Sequence, residues 1–279
     1  MASTTSNLPV ERLSTQRAEQ VAMTSKDTGV YEDRLLLYAD ILGWKAEICC
    51  GDGARALRAI QEIHQSSRFL MENDKNELIQ GEKDGKFKVN PMALDVQFGA
   101  FSDHFLISMP ADFHGRILDA ASNLIVALLR HGFLVRGAVV LGKLHHRDSA
   151  VFGPALLEAI QIEEREAIYP RILITDSARE LCEQNISDPK HLPMIVDQKD
   201  SFVVNPFDLG TSGPDEIVAS IVDLNFSFGD IKAMLNQQIK NLSQQSNTAA
   251  VEKWRYFKDF IEGKVLATSD VLKRKWEEA

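Results

Sequence analysis

Leu35-Leu-Leu-Tyr-Ala-Asp-Ile-Leu-Gly43 is an apolar, strand-forming run interrupted by one carboxylate, Asp40, and closed by a glycine. A run this short and continuous reads as a central strand buried on both faces, with Gly43 permitting a tight turn after it. A carboxylate inside such a run is costly to desolvate unless a cation meets it. A second aspartate, Asp103, has a similar setting in Phe101-Ser-Asp-His-Phe-Leu-Ile-Ser108. Two carboxylates so placed suggest a divalent metal site and, with it, phosphoryl chemistry.

The segments around this strand predict a sheet covered by helices. Residues 54–70 carry Leu57, Ile60, Ile63, Phe69 and Leu70 in an amphipathic helical pattern, and the charged stretch 72–90, with Gly81 and Gly85, reads as a surface loop. Residues 93–100 and 101–109 read as two strands joined tightly around 99–103, a hairpin with Asp103 near its tip. A second covering helix over 111–130 places Ile117, Leu118, Ala121, Leu124, Ile125 and Leu128 on one face. A buried strand over 133–142 and a helix over 154–167, with Pro154 near its first turn, come next. The remaining short elements are a strand at 172–175, a helix at 177–184 and strands at 194–197 and 201–205. The order β-α-β-β-α-β-α-β fits an α+β class of ferredoxin-like topology with additions.

Three regions follow from the same pass. Residues 1–30 are Ser/Thr/Gln-rich and read as a flexible arm, residues 31–209 hold the sheet domain, and 210–279 form a C-terminal helical extension after the Gly/Ser/Pro break at 210–215. Within the extension, helices over 227–245 and 249–263 present Trp254, Phe257, Phe260 and Ile261 on one face, which should pack on the core or on a partner subunit.

Composition narrows the function classes. At 279 residues, 44% hydrophobic and 25% charged, the chain can bury one substantial core. A net charge of −9 and a pI near 5.3 argue against a broad nucleic-acid surface, while leaving room for a small nucleotide pocket. The polar N-terminus and the lack of a run of about 18 apolar residues predict no signal peptide and no membrane span, hence a cytoplasmic protein. Cys49, Cys50 and Cys182 show no metal-ligand spacing and are expected to be reduced and buried.

Several other side chains are candidates on their own chemistry. Arg136 lies in an otherwise apolar strand and needs a partner, either a phosphate or a structural carboxylate such as Glu163. Arg171, in Tyr-Pro-Arg-Ile, has the same two readings. Tyr38, two residues before Asp40, shares its strand face and either touches a base or ribose or packs in the core. The backbone amides of Leu42, Gly43 and Trp44 can form a concave anion site, and Lys45 lies just beyond. His145, His146 and Asp148 read as a solvated loop rather than a metal site. Lys253, Arg255 and Lys258 are either a basic patch over the pocket or the wet face of a helix.

Taken together, Tyr38-Ala-Asp-Ile-Leu-Gly-Trp44, Phe101-Ser-Asp103, Arg136-Gly-Ala-Val-Val-Leu-Gly142 and Val151-Phe-Gly-Pro-Ala-Leu-Leu-Glu-Ala-Ile-Gln-Ile-Glu163 resemble the class III nucleotidyl cyclase catalytic domain over roughly residues 33–205. Asp-Ile-Leu-Gly-Trp at 40–44, Phe-Ser-Asp at 101–103, Phe-Gly-Pro-Ala-Leu at 152–156 and Tyr-Pro-Arg-Ile at 169–172 are similar to the bacterial pyrimidine cyclases of the Pycsar antiphage systems. The resemblance implies conversion of UTP, or alternatively CTP, to a 3′,5′-cyclic nucleotide that activates a separate effector. It implies two divalent ions, Mn2+ or Mg2+, on Asp40, Asp103 and the Ile41 carbonyl, with phosphates on residues 42–44. It also implies a homodimer with sites at the interface. The family's catalytic Asn and Arg register on Leu157 and Gln161, and its purine-reading Lys and Asp register on Gly99 and Ala150. Gly99 and Ala150 count against a purine substrate, and the missing Asn and Arg leave open a non-catalytic nucleotide-binding module of the same fold.

Overall fold

The apolar run becomes strand β1 (Glu32–Leu42), buried without a break from Arg34 to Ile41 because it runs through the middle of the sheet. The computed structural model describes residues 29–51, 53–64, 80, 83–84, 95–111, 116–184, 192–197, 199–207, 228–268 and 270–278. The arm at 1–28, most of the 72–90 loop and the break at 210–215 lie outside the described residues.

After β1 come helices α1 (Trp44–Cys50) and α2 (54–64), then the hairpin β2 (Gln97–Phe101) and β3 (His104–Pro110). Helix α3 (Arg116–Arg130) leads to β4 (Leu134–Arg147), which turns back on β5 (Ala150–Phe152). Helix α4 (Pro154–Arg165), strand β6 (Ile172–Ile174), helix α5 (Asp176–Gln184) and strands β7 (Met194–Val196) and β8 (Phe202–Val204) complete the α+β unit. The C-terminal region is α6 (Phe228–Gln244) and α7 (Thr248–Phe260), continuing through a π turn at Ile261–Val265 to α8 (Asp270–Glu278).

The strands form one mixed eight-stranded sheet in the order β2-β3-β1-β4-β6-β8-β7, with β5 on β4. β1 is antiparallel to both β3 and β4, which gives β2-β3-β1-β4 the ferredoxin-like order that the sequence pattern predicts. β6 adds to β4 in parallel. The close fit of β4 to β1 depends on Gly137, because a Cβ there would lie 2.1 Å from the Tyr38 carbonyl oxygen.

Alternate residues of β1 enter different cores, as the pleat requires. Leu35, Leu37, Ala39 and Ile41 join the main core with α2 and α3. Leu36 and Tyr38 face the other way and pack with Leu106, Ala138 and Val140 beneath Ala155 and Ala159 of α4. Trp254, Phe257, Phe260 and Ile261 belong to the main core, so the C-terminal helices pack on the body of the same chain. No helix among the described residues is long and apolar enough to cross a membrane.

Several expectations are corrected. The helix at 54–64 buries Ala56, Ala59 and Ile63 while Leu57 is exposed, because small alanines permit close packing. The hairpin turns at Ser102 and Asp103, with Ser102 at φ 57°, and Gly99 sits inside β2 opposite Leu106. β4 runs on to Arg147, so His145 and His146 are strand residues and only Asp148 lies in a turn. Cys49 and Cys50 are exposed, and Cys182 alone is buried, its thiol pushed up to about 12 by burial.

The far end of β1 carries a buried polar network. Arg34 is fully buried and donates to Ser108 Oγ at 3.0 Å, to Asp95 Oδ2 at 2.8 Å and to the Asp95 carbonyl at 2.6 Å. Ser108 Oγ lies 2.9 Å from His146 Nδ1. Arginine can only donate, so the serine hydroxyl accepts from it and is free to donate to a neutral imidazole. Burial, and then the Arg34 charge, push the His146 pKa down to about 4 from 6.5. The folded chain therefore binds fewer protons than the unfolded chain across that window. The contribution is fully present above the unfolded value and is lost as the pH falls toward 4, by up to about 3 kcal/mol. Denaturant unfolding near neutral pH and near pH 5 should show a steeper acid loss in the wild type than in His146→Gln. Equal acid sensitivity would assign it to other groups.

Candidate functional site

The register of the sheet gathers charged groups at the C-terminal end of β1. Asp40 lies opposite His104 on β3 and opposite Arg136 on β4. Asp103 sits in the hairpin turn, and its carbonyl accepts a 2.9 Å hydrogen bond from the Ile41 N–H, which fixes the turn beside β1. Ligand atoms of Asp40, Asp103 and His104 all fall within 4.8 Å of one another. His104 Nδ1 is 3.2 Å from Asp103 Oδ1, and its Nε2 is 3.8 Å from Asp40 Oδ1.

Arg136 answers the question its strand position raised. Its Nε donates to Asp40 Oδ2 at 3.0 Å, and another guanidinium nitrogen lies 2.5 Å from Glu163 Oε1 on α4. Glu163 is buried, and its Oε1 has no aligned hydrogen bond despite that contact. Burial pushes both Asp40 and Glu163 above the usual carboxylate range. Arg136 opposes the rise at both, and Asp103 adds like-charge repulsion at Asp40. One guanidinium thus serves two buried carboxylates and leaves negative charge uncompensated. Two carboxylates and an imidazole within reach of one point fit a divalent cation.

Tyr38 shares the face of Asp40 and is buried, its ring stacked on His104 at 5.4 Å between centroids. Burial, followed by Glu163 and Asp40, raises the pKa of its hydroxyl, so it remains a neutral donor. His104 is the site residue that sequence reasoning missed. The available signal was its place directly after Asp103, where an antiparallel hairpin brings the first residue of β3 across from Asp40.

The turn after β1 holds Gly43 at φ 84°, and a Cβ there would meet nothing within 4 Å. The turn borders open space, a cleft of about 650 Å³ lined by Leu42, Gly43 and Leu134 on one side and by α6 and α7 on the other. The Trp44 side chain is buried against Phe133, with centroids 5.7 Å apart, so it serves the core; Lys45 is exposed.

Arg171 is placed differently. Its guanidinium pairs with buried Asp197, donates to the Glu166 carbonyl at 2.9 Å and reaches the Tyr256 hydroxyl at 3.5 Å, so its polar contacts are with these groups rather than with either aspartate. The three cations of α7 diverge. Lys253 lines the Gly43 cleft, Arg255 lines a separate one beside Tyr169 and Tyr256, and Lys258 bonds Asn236. Leu157 and Gln161 lie on the exposed side of α4, opposite the buried Glu163.

No family model and no curated protein matches the sequence. Among the solved structures similar to it are these three. One is the adenylyl cyclase CyaB from P. aeruginosa, at 16% identity over 62% of this chain and 94% of that one, with a TM-score of 0.34. A bacterial light-regulated adenylyl cyclase follows at 10% identity over 69% and 99%, with a TM-score of 0.38. The third is a class III adenylyl cyclase-like ATP-binding protein from Pseudomonas aeruginosa, at 13% identity over 90% and 52%, with a TM-score of 0.34.

Removing one partner of a buried charge group leaves the others unpaired, at a cost of about 3 kcal/mol. Arg136→Met should therefore lower unfolding stability by about that amount, and Mn2+ should recover part of the loss because a cation again faces Asp40. Undiminished stability in denaturant melts would show that Arg136 does not neutralise these carboxylates.

Proposed function

We propose that the chain is a metal-dependent nucleotide cyclase that converts a pyrimidine nucleoside triphosphate, UTP ahead of CTP, to the 3′,5′-cyclic monophosphate and pyrophosphate. The observation that carries this reading is the convergence of Asp40 and Asp103 with His104 at one end of the central strand, beside an open, glycine-lined turn. In the reaction the ribose 3′-oxygen attacks the α-phosphorus in line, the bond to the bridging oxygen breaks, and pyrophosphate leaves. Two divalent ions, when bound, lower the pKa of the attacking hydroxyl and offset the charge of the leaving group.

The chain's own residues divide the remaining work. Asp40 and Asp103, with the Ile41 carbonyl, supply hard oxygen ligands. Arg136 holds Asp40 in position through its 3.0 Å hydrogen bond and shares its charge with Glu163. The amides of the 42–44 turn face the phosphates, and Tyr38 borders the ribose or base. Gly99 and Ala150 offer no side-chain polar group for reading a purine, which supports a pyrimidine. On the sequence resemblance, the product is a second messenger for a separate effector in bacterial antiphage defence, and the active unit is a homodimer with its sites at the interface.

A second reading, a nucleotide-binding module without turnover, is favoured by one observation. Leu157 and Gln161 place no cation on α4 where the cyclase pattern expects an Arg and its Asn partner. Incubation with each of UTP, CTP, ATP and GTP plus Mn2+, with products identified by mass, separates the readings. Cyclic UMP or cyclic CMP is the expected product, and Asp40→Ala or Asp103→Ala should lower turnover by at least about a hundredfold. Retention of near-normal turnover in either variant would refute the assignment, and no cyclic product from any nucleotide would leave the binding module.

A further inference from the structure

Lys253 is a cation of the Gly43 cleft that the catalytic reading leaves unused. It projects from α7, a helix anchored in the main core by Trp254, Phe257 and Phe260, and it lines the same cleft as Leu42 and Gly43. Among the described residues no carboxylate forms an ion pair with it, whereas Arg55, the other cation of that cleft, is paired with Glu47. A half-buried ammonium without a counter-ion is costly, and an anion entering the cleft removes that cost.

We infer that Lys253 binds the terminal phosphates of the nucleotide, so that the C-terminal helices complete a polyphosphate subsite against the Gly43 turn. This rests on the cyclase reading and extends it to a residue more than two hundred positions from Asp40 in sequence. The cleft, about 650 Å³, is of the size that takes a nucleotide. Burial, and then the Arg136 charge, lower the Lys253 pKa, with Asp40 and Glu163 opposing. The ammonium therefore feels the field of Arg136, Asp40 and Glu163, while the cleft wall it occupies is shared with Leu42, Gly43 and Leu134. An α-phosphate at the aspartates directs the β- and γ-phosphates along Leu42 and Gly43 toward α7. Lysine suits this role as a compact point charge with three donors.

The test is calorimetric titration of inorganic tripolyphosphate, with Mn2+ present, into the wild type, Lys253→Met and Lys253→Arg, alongside nucleotide turnover by each. Lys253→Met keeps the stem that packs in the cleft, and circular dichroism checks that it is folded. Roughly tenfold weaker tripolyphosphate binding in Lys253→Met, near-wild-type binding in Lys253→Arg, and a raised KM with kcat little changed are expected. Equal affinity in folded wild type and Lys253→Met would overturn the assignment even if the wild type makes cyclic product. Conversely, failure of the cyclase reading would appear as no cyclic product from any nucleotide while the Lys253 dependence of tripolyphosphate binding persists.

Discussion

The fold carries a carboxyl group, that of Asp40, into its own interior, and the site is organised around that burden. Asp40 sits on the central strand, is 9% exposed, and has Tyr38 and Ala39 buried on the chain before it. Sheet hydrogen bonding fixes its position, so compensation must come from neighbouring strands. β4 supplies Arg136 and β3 supplies His104, each directly across from Asp40. Gly137 allows β4 to come close enough to β1 to deliver that arginine. Glu163 then takes a share of the same guanidinium, and its burial renews the demand for positive charge. The result is a core region that is electrostatically incomplete beside an open cleft, which is the condition a bound cation relieves.

The two ends of β1 contrast in how they treat charge. Arg34 is satisfied by Ser108, Asp95 and Glu32, and the neighbouring His146 is held neutral, so that end is a closed structural network. At the other end the carboxylates outnumber the committed cations, and the turn beyond them is open. The same strand therefore holds a closed polar network at one end and a carboxylate cluster beside an open turn at the other, separated by the buried stretch from Leu35 to Ala39.

Much of this arrangement was legible in the sequence because local pattern and burial agree there. The run ending at Gly43, the hairpin carrying Asp103 and the helices over 116–130 and 154–165 are each set by short-range apolar period, and their order alone gives the sheet core. Arg136 in an apolar strand demands a partner, and the structure supplies Glu163 together with Asp40. What local pattern could not reveal depends on register and long-range packing. His104 joins the aspartates only because β3 pairs with β1 in that alignment. His146 looked like a loop residue because β4 extends past its apolar stretch into a polar strand held by β5. Arg171 finds Asp197, and Lys253 reaches the Gly43 cleft, through contacts between segments far apart in the chain.

The central claim is that Asp40 and Asp103 together hold divalent cation in the presence of nucleotide. Anomalous diffraction at a manganese-sensitive wavelength, from crystals grown with Mn2+ and a non-reactive pyrimidine triphosphate analogue, tests it most directly. Manganese peaks within about 2.3 Å of carboxylate oxygens from both aspartates are predicted. Clear density for the analogue with no manganese at either aspartate would contradict the account.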